Sequence, residues 1–330
     1  MKKRALLVGL LLVAAAAAGT AYLLLRAPAY EVTLFLASDT HYGLSPTVAE
    51  ADERTIDAMN RLPGTAFPRG MGGVVGPPRG VAVLGDLVDN AAAPDTAVAW
   101  HRFTADFGID GRGRLRFPVY ELPGNHDGGD EGIVRQGILE RDRLRPGLLA
   151  ASADGICYSW DWGPVHFVSM GLYAGSAGDA VVNPWGRHSD GTWRLPGHSL
   201  EFLEEDLARR VGASGRPVVL LQHYGWDIWG LGWWSDQERE ALRAAVRGYH
   251  VIAAFYGHSH VMMRVDLDGY PAFCVGAAQS DPLPGSFMVV RIRPKVMDVA
   301  ERKPDGWGYV ARVPLTGYVR PRRGGLASSQ

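Results

Sequence analysis

Five short apolar runs, each followed at once by polar residues, divide the chain. The runs are rich in β-branched residues and end near Gly, Ser or Asn, which predicts buried strands rather than helices. They occupy positions 32–37, 81–84, 118–122, 217–221 and 251–256. Segments with apolar residues spaced three and four apart lie between several of these runs, so the pattern predicts an α/β domain.

Capping signals mark where the helices begin. Ser45 precedes a proline, which predicts an N-cap with proline at the first helical position. Asp95 and Ser199 are candidate caps of two further helices. Ser235 and Glu238 have the spacing of a capping box. We therefore expect at least four helices between the predicted strands.

The remaining segments predict a more irregular second half. Positions 156–161 and 165–170 predict a hairpin, and three later stretches predict antiparallel strands, at 271–275, 286–292 and 296–313. Positions 63–80 are rich in Gly and Pro and poor in apolar residues, so we expect a surface loop there.

The N-terminus differs from the rest of the chain. Three basic residues precede an uncharged run over positions 5–25. As a helix, that run is roughly 31 Å long, enough to cross a bilayer core of ~30 Å. The basic cluster predicts a single-pass cell-membrane anchor with the following domain outside the cytoplasm. A cleaved signal peptide, leaving a secreted or periplasmic protein, is the alternative.

These patterns divide the chain into three parts. Residues 1–29 are the predicted signal-anchor or transmembrane segment, residues 30–319 a single folded domain, and residues 320–330 a basic, disordered tail. The net charge of −1 and the pI near 6.8 lack the basic surface that nucleic-acid binding needs, so we expect no nucleic-acid partner. Cys157 and Cys274 are the two cysteines. They either pair or stay as buried thiols, and they cannot form a zinc knuckle.

Metal-ligand residue types follow each of the five predicted strands. They are Asp39 and His41, Asp86, Asn125 and His126, His223, and His258 and His260. Because the ends of such strands gather along one edge of an α/β sheet, we expect these side chains to meet. The set suits two divalent ions such as Mn, Fe or Zn. Calcium prefers more oxygen ligands, and structural zinc prefers cysteines.

The order of these short motifs resembles the calcineurin-like metallophosphoesterases. The chain carries D-x-H at 39–41, G-D-x-x-D at 85–89, G-N-H-D at 124–127, a lone His223 after a strand, and G-H-x-H at 257–260. The resemblance extends over roughly residues 32–313. It implies a four-layer α/β/β/α sandwich of two mixed β-sheets flanked by helices, which here follows the N-terminal transmembrane helix.

The same resemblance implies roles for the site residues. Asp39, His41 and His260 hold one metal ion, Asn125, His223 and His258 hold the other, and Asp86 bridges both. A hydroxide shared by the two ions attacks a phosphomonoester or phosphodiester bond. His126 faces the substrate and is oriented by Asp89.

Departures from the family pattern narrow the subfamily. Asn90 and Asp127 stand where protein Ser/Thr phosphatases carry Arg and Glu, and Val88 replaces the Tyr of purple acid phosphatases. The closest pattern is the broad bacterial group of small-molecule phosphoesterases. Two other classes of protein fit the sequence less well. A non-catalytic, metal-stabilised cell-surface binding protein is opposed by the complete ligand set, and a zinc peptidase lacks its helical H-E-x-x-H pattern.

Substrate choice is expected to lie in loops over the metal edge. One candidate spans positions 183–193, and the other is the Trp-rich segment after His223. The rings of Trp226 and Trp229 can stack on a substrate, insert into a membrane interface, or pack in the core. The substrate is therefore expected to be a small-molecule phosphate ester or a lipid headgroup.

Overall fold

The computed structural model describes residues 30–129, 131–176, 197–267, 269–281 and 283–315. The predicted anchor, the tail from residue 320 and the candidate loop at 183–193 lie outside these residues. Within them, no helix combines the length and the apolar character needed to cross a bilayer.

Fifteen strands in the described residues form two large mixed sheets and one small hairpin. The first sheet has the order β15-β14-β13-β1-β2-β3. Its strands are β1 (Val32–Ala37), β2 (Val81–Leu84), β3 (Val119–Leu122), β13 (Phe287–Arg293), β14 (Val296–Lys303) and β15 (Gly306–Pro314). Strands β1, β2 and β3 are parallel, whereas β13 runs antiparallel to β1.

The second sheet has the order β4-β5-β6-β7-β8-β10-β9. Its strands are β4 (Leu148–Ala151), β5 (Tyr158–Trp162), β6 (Val165–Ser169), β7 (Pro217–Leu221), β8 (His250–Tyr256), β9 (Met263–Leu267) and β10 (Tyr270–Cys274). Strands β6, β7, β8 and β10 are parallel. The short strands β11 (Gln279–Ser280) and β12 (Leu283–Pro284) form a separate hairpin.

Five α-helices in the part of the chain that the structure describes connect the strands. They are α1 (Pro46–Arg61), α2 (Thr96–Asp106), α3 (Ile133–Leu144), α4 (Ser199–Asp206) and α5 (Asp236–Val246). A π-helical turn at Leu207–Val211 continues α4, and a 3₁₀ turn lies at Gly230–Gly232.

The alternation of side chains along β1 shows how the sheets pack. Leu34 and Leu36 contact residues of the second sheet, whereas Phe35 and Ala37 face the opposite side with apolar residues of α1, α2 and α3. A third apolar cluster lies between the second sheet and helices α4 and α5. The predicted α/β fold with two mixed sheets flanked by helices is confirmed.

Two predicted helix starts are confirmed and two differ in detail. Ser45 accepts a hydrogen bond from the N–H of Val48, and the capping box of Ser235 is formed. Asp95 occupies the N-cap position without a side-chain cap bond. Ser199 is the first helical residue rather than the cap, because its hydroxyl donates to the carbonyl of Tyr173 instead.

The second half departs further from the prediction. Residues 296–313 form two strands rather than one, and the stretch at 271–275 lies in β10, which is parallel to β8 as well as antiparallel to β9. The segment at 63–80 contains no helix or named strand, yet it buries Phe67, Met71 and Val75. Cys157 and Cys274 are both buried and unpaired.

Candidate metal centre

All predicted ligands lie just beyond the carboxyl ends of parallel strands, where the two sheets meet at one edge. Asp39 and His41 follow β1, Asp86 follows β2, Asn125 follows β3, and the remaining ligands, His223, His258 and His260, follow β7 and β8. Gly124 makes this convergence possible. A Cβ at that position would lie 2.2 Å from both the backbone nitrogen and Oδ1 of Asp86.

Five of the seven predicted ligands have a left-handed backbone conformation. Their φ angles are 55° for Asp39, 47° for His41, 51° for Asp86, 70° for His258 and 59° for His260. Among the other non-glycine residues that the structure describes, only His198 shares this conformation. Such residues cost of order 1–3 kcal/mol each and cluster at functional sites. The turns after β1, β2 and β8 therefore bring the five ligand side chains toward the same site.

The first group of ligand atoms comes from Asp39, His41, Asp86 and His260, whose atoms lie within 4.8 Å of one another. Nε2 of His41 is 3.2 Å from Nε2 of His260. Oδ1 of Asp39 is 3.4 Å from the same nitrogen of His260, and Oδ2 of Asp86 is 3.7 Å from Nε2 of His41. Two imidazoles and two carboxylates therefore converge on one point.

The second group shares Asp86 with the first. Asp86, His223 and His258 place their ligand atoms within 4.8 Å of one another. The amide oxygen of Asn125 lies 3.0 Å from Nε2 of His223 and 2.9 Å from Nδ1 of His258. Oδ2 of Asp86 is 3.3 Å from Nε2 of His223. The carboxylate of Asp86 thus joins both groups.

The histidine hydrogen bonds fit a pair of metal ions. Nδ1 of His223 lies 2.7 Å from the carbonyl oxygen of Leu84 and donates to it, so its Nε2 presents a lone pair to the second group. Nδ1 of His41 lies 3.3 Å from Oδ1 of Asp89, which leaves its Nε2 free for the first group. Such outer partners typically orient metal-binding imidazoles, and this nitrogen and oxygen set suits Mn, Fe or Zn.

The electrostatics of the groups favour positive charge. Burial alone raises the pKa of Asp86, but the nearby His223 and His126 outweigh it and hold the pKa well below its usual range. Burial lowers the pKa of His223, but the charge of Asp86 raises it further, to about 9. Burial, with the charge of His223, lowers the pKa of His258 to about 3. The carboxylates of this site therefore stabilise a nearby positive charge, which a bound metal ion would supply.

His126 and Asp89 lie beside the first group rather than in it. Nδ1 of His126 contacts the backbone carbonyl of Asp89 in a short hydrogen bond. The carboxylate of Asp89 is 4.0 Å from that nitrogen but 3.3 Å from Nδ1 of His41. The side chain of His126 is partly exposed, and Nδ1 is the ring nitrogen that this hydrogen bond occupies. Asp89 thus contacts both histidines, one through its side chain and the other mainly through its backbone.

Asp127 supports the site, although the sequence pattern assigned it no role. Its buried carboxylate accepts hydrogen bonds from the N–H groups of Leu87, Val88 and Gly124. Burial, with the charge of Asp86, raises its pKa to about 6. The carboxylate therefore joins the loop after β2 to the loop after β3. Its place in the G-N-H-D motif was the signal that could have revealed it.

The Trp-rich segment after β7 contributes support and one exposed ring. Trp226 is buried, whereas Trp229 is 65 % exposed. Trp233 packs edge-on against His258. Asp227 accepts hydrogen bonds from the N–H of Trp229 and from the hydroxyl of Ser259, which lies between two predicted ligands. Trp226 is thus unavailable for stacking on a substrate.

Two mixed sheets with clustered carboxylates and imidazoles at one edge fit a metal-dependent phosphoesterase. The chain belongs to the calcineurin-like phosphoesterase family, whose sequence profile matches residues 32–262. No curated protein matches the chain significantly by sequence.

Solved structures share the fold at low sequence identity. A dimetal phosphatase from Danio rerio aligns with a TM-score of 0.58 and 14 % identity, covering 86 % of this chain and 98 % of the other. GAP50, the anchor in the inner membrane complex of Plasmodium, aligns with a TM-score of 0.50 and 11 % identity, covering 87 % of this chain and 90 % of the other. These similarities support the fold alone.

Proposed function

We propose that the protein hydrolyses phosphomonoester or phosphodiester bonds with two divalent metal ions. The observation that carries the proposal is the position of Asp86, whose carboxylate belongs to both ligand groups. Asp39, His41 and His260 would complete one site, and Asn125, His223 and His258 the other. Mn, Fe and Zn are the candidate ions, because the donor set mixes imidazoles, carboxylates and an amide.

The chain's own residues suit the roles that phosphoester hydrolysis requires. A pair of divalent ions supplies Lewis acidity, which makes water nucleophilic near neutral pH and neutralises the charge on the phosphoryl oxygens. In its protonated form, His126 would donate the Nε2 proton to the leaving oxygen, while its Nδ1–H keeps the hydrogen bond to the carbonyl of Asp89 and the ring is left neutral. The carboxylate of Asp89 orients His41 in the first site.

The substrate and location follow from the sequence patterns. The substrate is a phosphate ester of a small molecule or of a lipid headgroup, and the protein acts outside the cytoplasm, anchored by residues 1–29 or released after their cleavage. Fractionation of cells that express the full chain tests the location. A protein found in the cytosolic fraction with an intact N-terminus would contradict it.

Purified protein loaded with Mn²⁺ tests the activity with p-nitrophenyl phosphate and bis(p-nitrophenyl) phosphate. We expect Asp86→Ala to lower turnover by more than about a thousandfold, because both ions lose a shared ligand. Elemental analysis should show less bound metal. Exposed Asp110 is the matched control, and Asp110→Ala should behave as wild type. Folded wild-type protein that binds no transition metal would contradict the proposal.

A further inference from the structure

A cavity of about 700 Å³ opens beside His260. Its walls come from residues after β8, the hairpin of β11 and β12, the segment just before β13, the end of β14, and the turn that leads into β15. Pockets that take small organic ligands span roughly 300–1,000 Å³. Since His260 also belongs to the first ligand group, the cavity adjoins the metal centre.

The cavity and His126 flank the metal centre from opposite sides. In the first sheet, β13 and β14 lie on one side of β1, and β3 lies on the other. His126 follows β3, whereas Lys303 ends β14 and lines the cavity. These two strands are four positions apart, which is roughly 19 Å at a strand spacing of ~4.8 Å. The ligands after β1 and β2 lie between them.

We infer that this cavity holds the non-leaving organic group of a phosphodiester; the inference rests on the proposed function. With His126 as the proton donor, the leaving group lies on the β3 side. The oxygen of water bonds to phosphorus and the water releases one proton to solvent, the P–O bond to the leaving group breaks, and the leaving oxygen takes a proton from protonated His126, which solvent then protonates again. A phosphomonoester carries no further organic group, whereas a phosphodiester carries one on an oxygen beside the line of attack, from which it would extend past His260 into the cavity.

The charges of the cavity indicate which organic group it accepts. Glu301 is 5 % exposed, and its Oε2 lies 3.6 Å from Nζ of Lys303 and accepts a hydrogen bond from the N–H of Tyr309. Asp281 adds a second carboxylate to the lining, and its two oxygens already accept hydrogen bonds from the hydroxyls of Ser45 and Thr47, so it contributes charge rather than a vacant acceptor. With one ammonium and two carboxylates, the cavity disfavours another phosphate. Carboxylates and ammonium bind hydroxyl groups well. The fitting group is therefore neutral and polar, of nucleoside or sugar size.

Thymidine 5′-(p-nitrophenyl) phosphate and p-nitrophenyl phosphate test the inference on the Mn²⁺-loaded full chain. Wild type should favour the diester in kcat/KM. Lys303→Ala removes a hydrogen-bond donor, and Ser280→Trp fills the cavity from the β11–β12 hairpin. Both should raise KM for the diester about tenfold and leave the monoester constants within about twofold. Exposed Lys295, in the β13–β14 turn at the opposite sheet edge, supplies the control Lys295→Ala.

Equilibrium binding provides a readout without turnover. Calorimetry should show that Lys303→Ala weakens binding of thymidine 5′-phosphate about tenfold and leaves binding of inorganic phosphate unchanged. Equal losses for both ligands, or preference of wild type for the monoester, would overturn the inference. Failure of metal-loaded wild type to hydrolyse any ester would instead contradict the proposed function.

Discussion

Replacing Asp89 by Asn separates two roles that its position allows. Its Oδ1 lies 3.3 Å from Nδ1 of His41 and 4.0 Å from Nδ1 of His126. The hydrogen bond from His41 is also the largest influence on Asp89, and it lowers the pKa of that carboxyl. The structure therefore favours an action of the carboxylate on His41, whereas the sequence pattern suggested an action on His126.

The expected effect is on metal affinity. Removing an outer-shell carboxylate typically costs 10- to 100-fold in metal affinity, or about 1.4–2.8 kcal/mol. Asp89 is partly exposed and water screens it, so we expect the lower half of that range. Because the backbone carbonyl of Asp89 still contacts His126 in the variant, kcat at saturating metal should fall less than about tenfold.

Calorimetric titration of metal-free protein with Mn²⁺ measures the affinity, and p-nitrophenyl phosphate at saturating Mn²⁺ measures kcat. Asp95→Asn is the control, since Asp95 is exposed and makes no cap bond. Unchanged Mn²⁺ affinity together with a large loss of kcat would refute the reasoning. That result would assign the carboxylate to His126.

Two further predictions concern His126 and Glu121. His126→Ala should lower kcat by about 10²–10⁴-fold for an alkyl phosphate, and less for p-nitrophenyl phosphate, because that leaving group needs little protonation. The amount of bound metal should not change. Loss of metal would disprove the assignment of His126 as a proton donor that is not a ligand. Glu121 is fully buried against Arg141 and Arg145, and their charges outweigh burial and lower its pKa from 4.5 to about 2. A depressed pKa stabilises the fold above pH 4.5, so Glu121→Gln should cost about 3 kcal/mol at pH 7. Urea unfolding should show that the difference in unfolding free energy between wild type and Glu121→Gln shrinks as the pH falls from about 5 toward 2. Glu140 is exposed, so the control Glu140→Gln should change the unfolding free energy little at either pH.

The sequence predicted the strands that carry the site better than the rest of the fold. Strands β1, β2 and β7 have the predicted bounds, and β3 and β8 differ from the predicted runs by one residue at their first position. Buried parallel strands are continuous apolar runs, so their signal is local and strong. Helix α3 was missed because Gly132 precedes it without a side-chain cap. Strand β9 was missed because it is a half-exposed edge strand.

Within the site, the sequence predicted which residues converge but not their backbone conformations or mutual contacts. The motifs predicted which side chains would converge, because each follows a strand end. The left-handed conformations of Asp39, Asp86 and His258 depend on contacts between distant segments, which local sequence does not encode. The same limit explains why the nearer contact of the Asp89 carboxylate with His41 was not foreseen.

The metal ligands are far apart in the sequence, and this separation determines the stage of protein synthesis at which metal can bind. Asp39 emerges from the ribosome early, but His260 follows 221 residues later, which takes roughly 10–45 s at ~5–20 residues per second. Neither ligand group is complete until β8 has been synthesised and paired with β7. Chains shorter than about 260 residues therefore hold only fragments of the centre, and metal can bind the complete set of ligands only late in synthesis or after it.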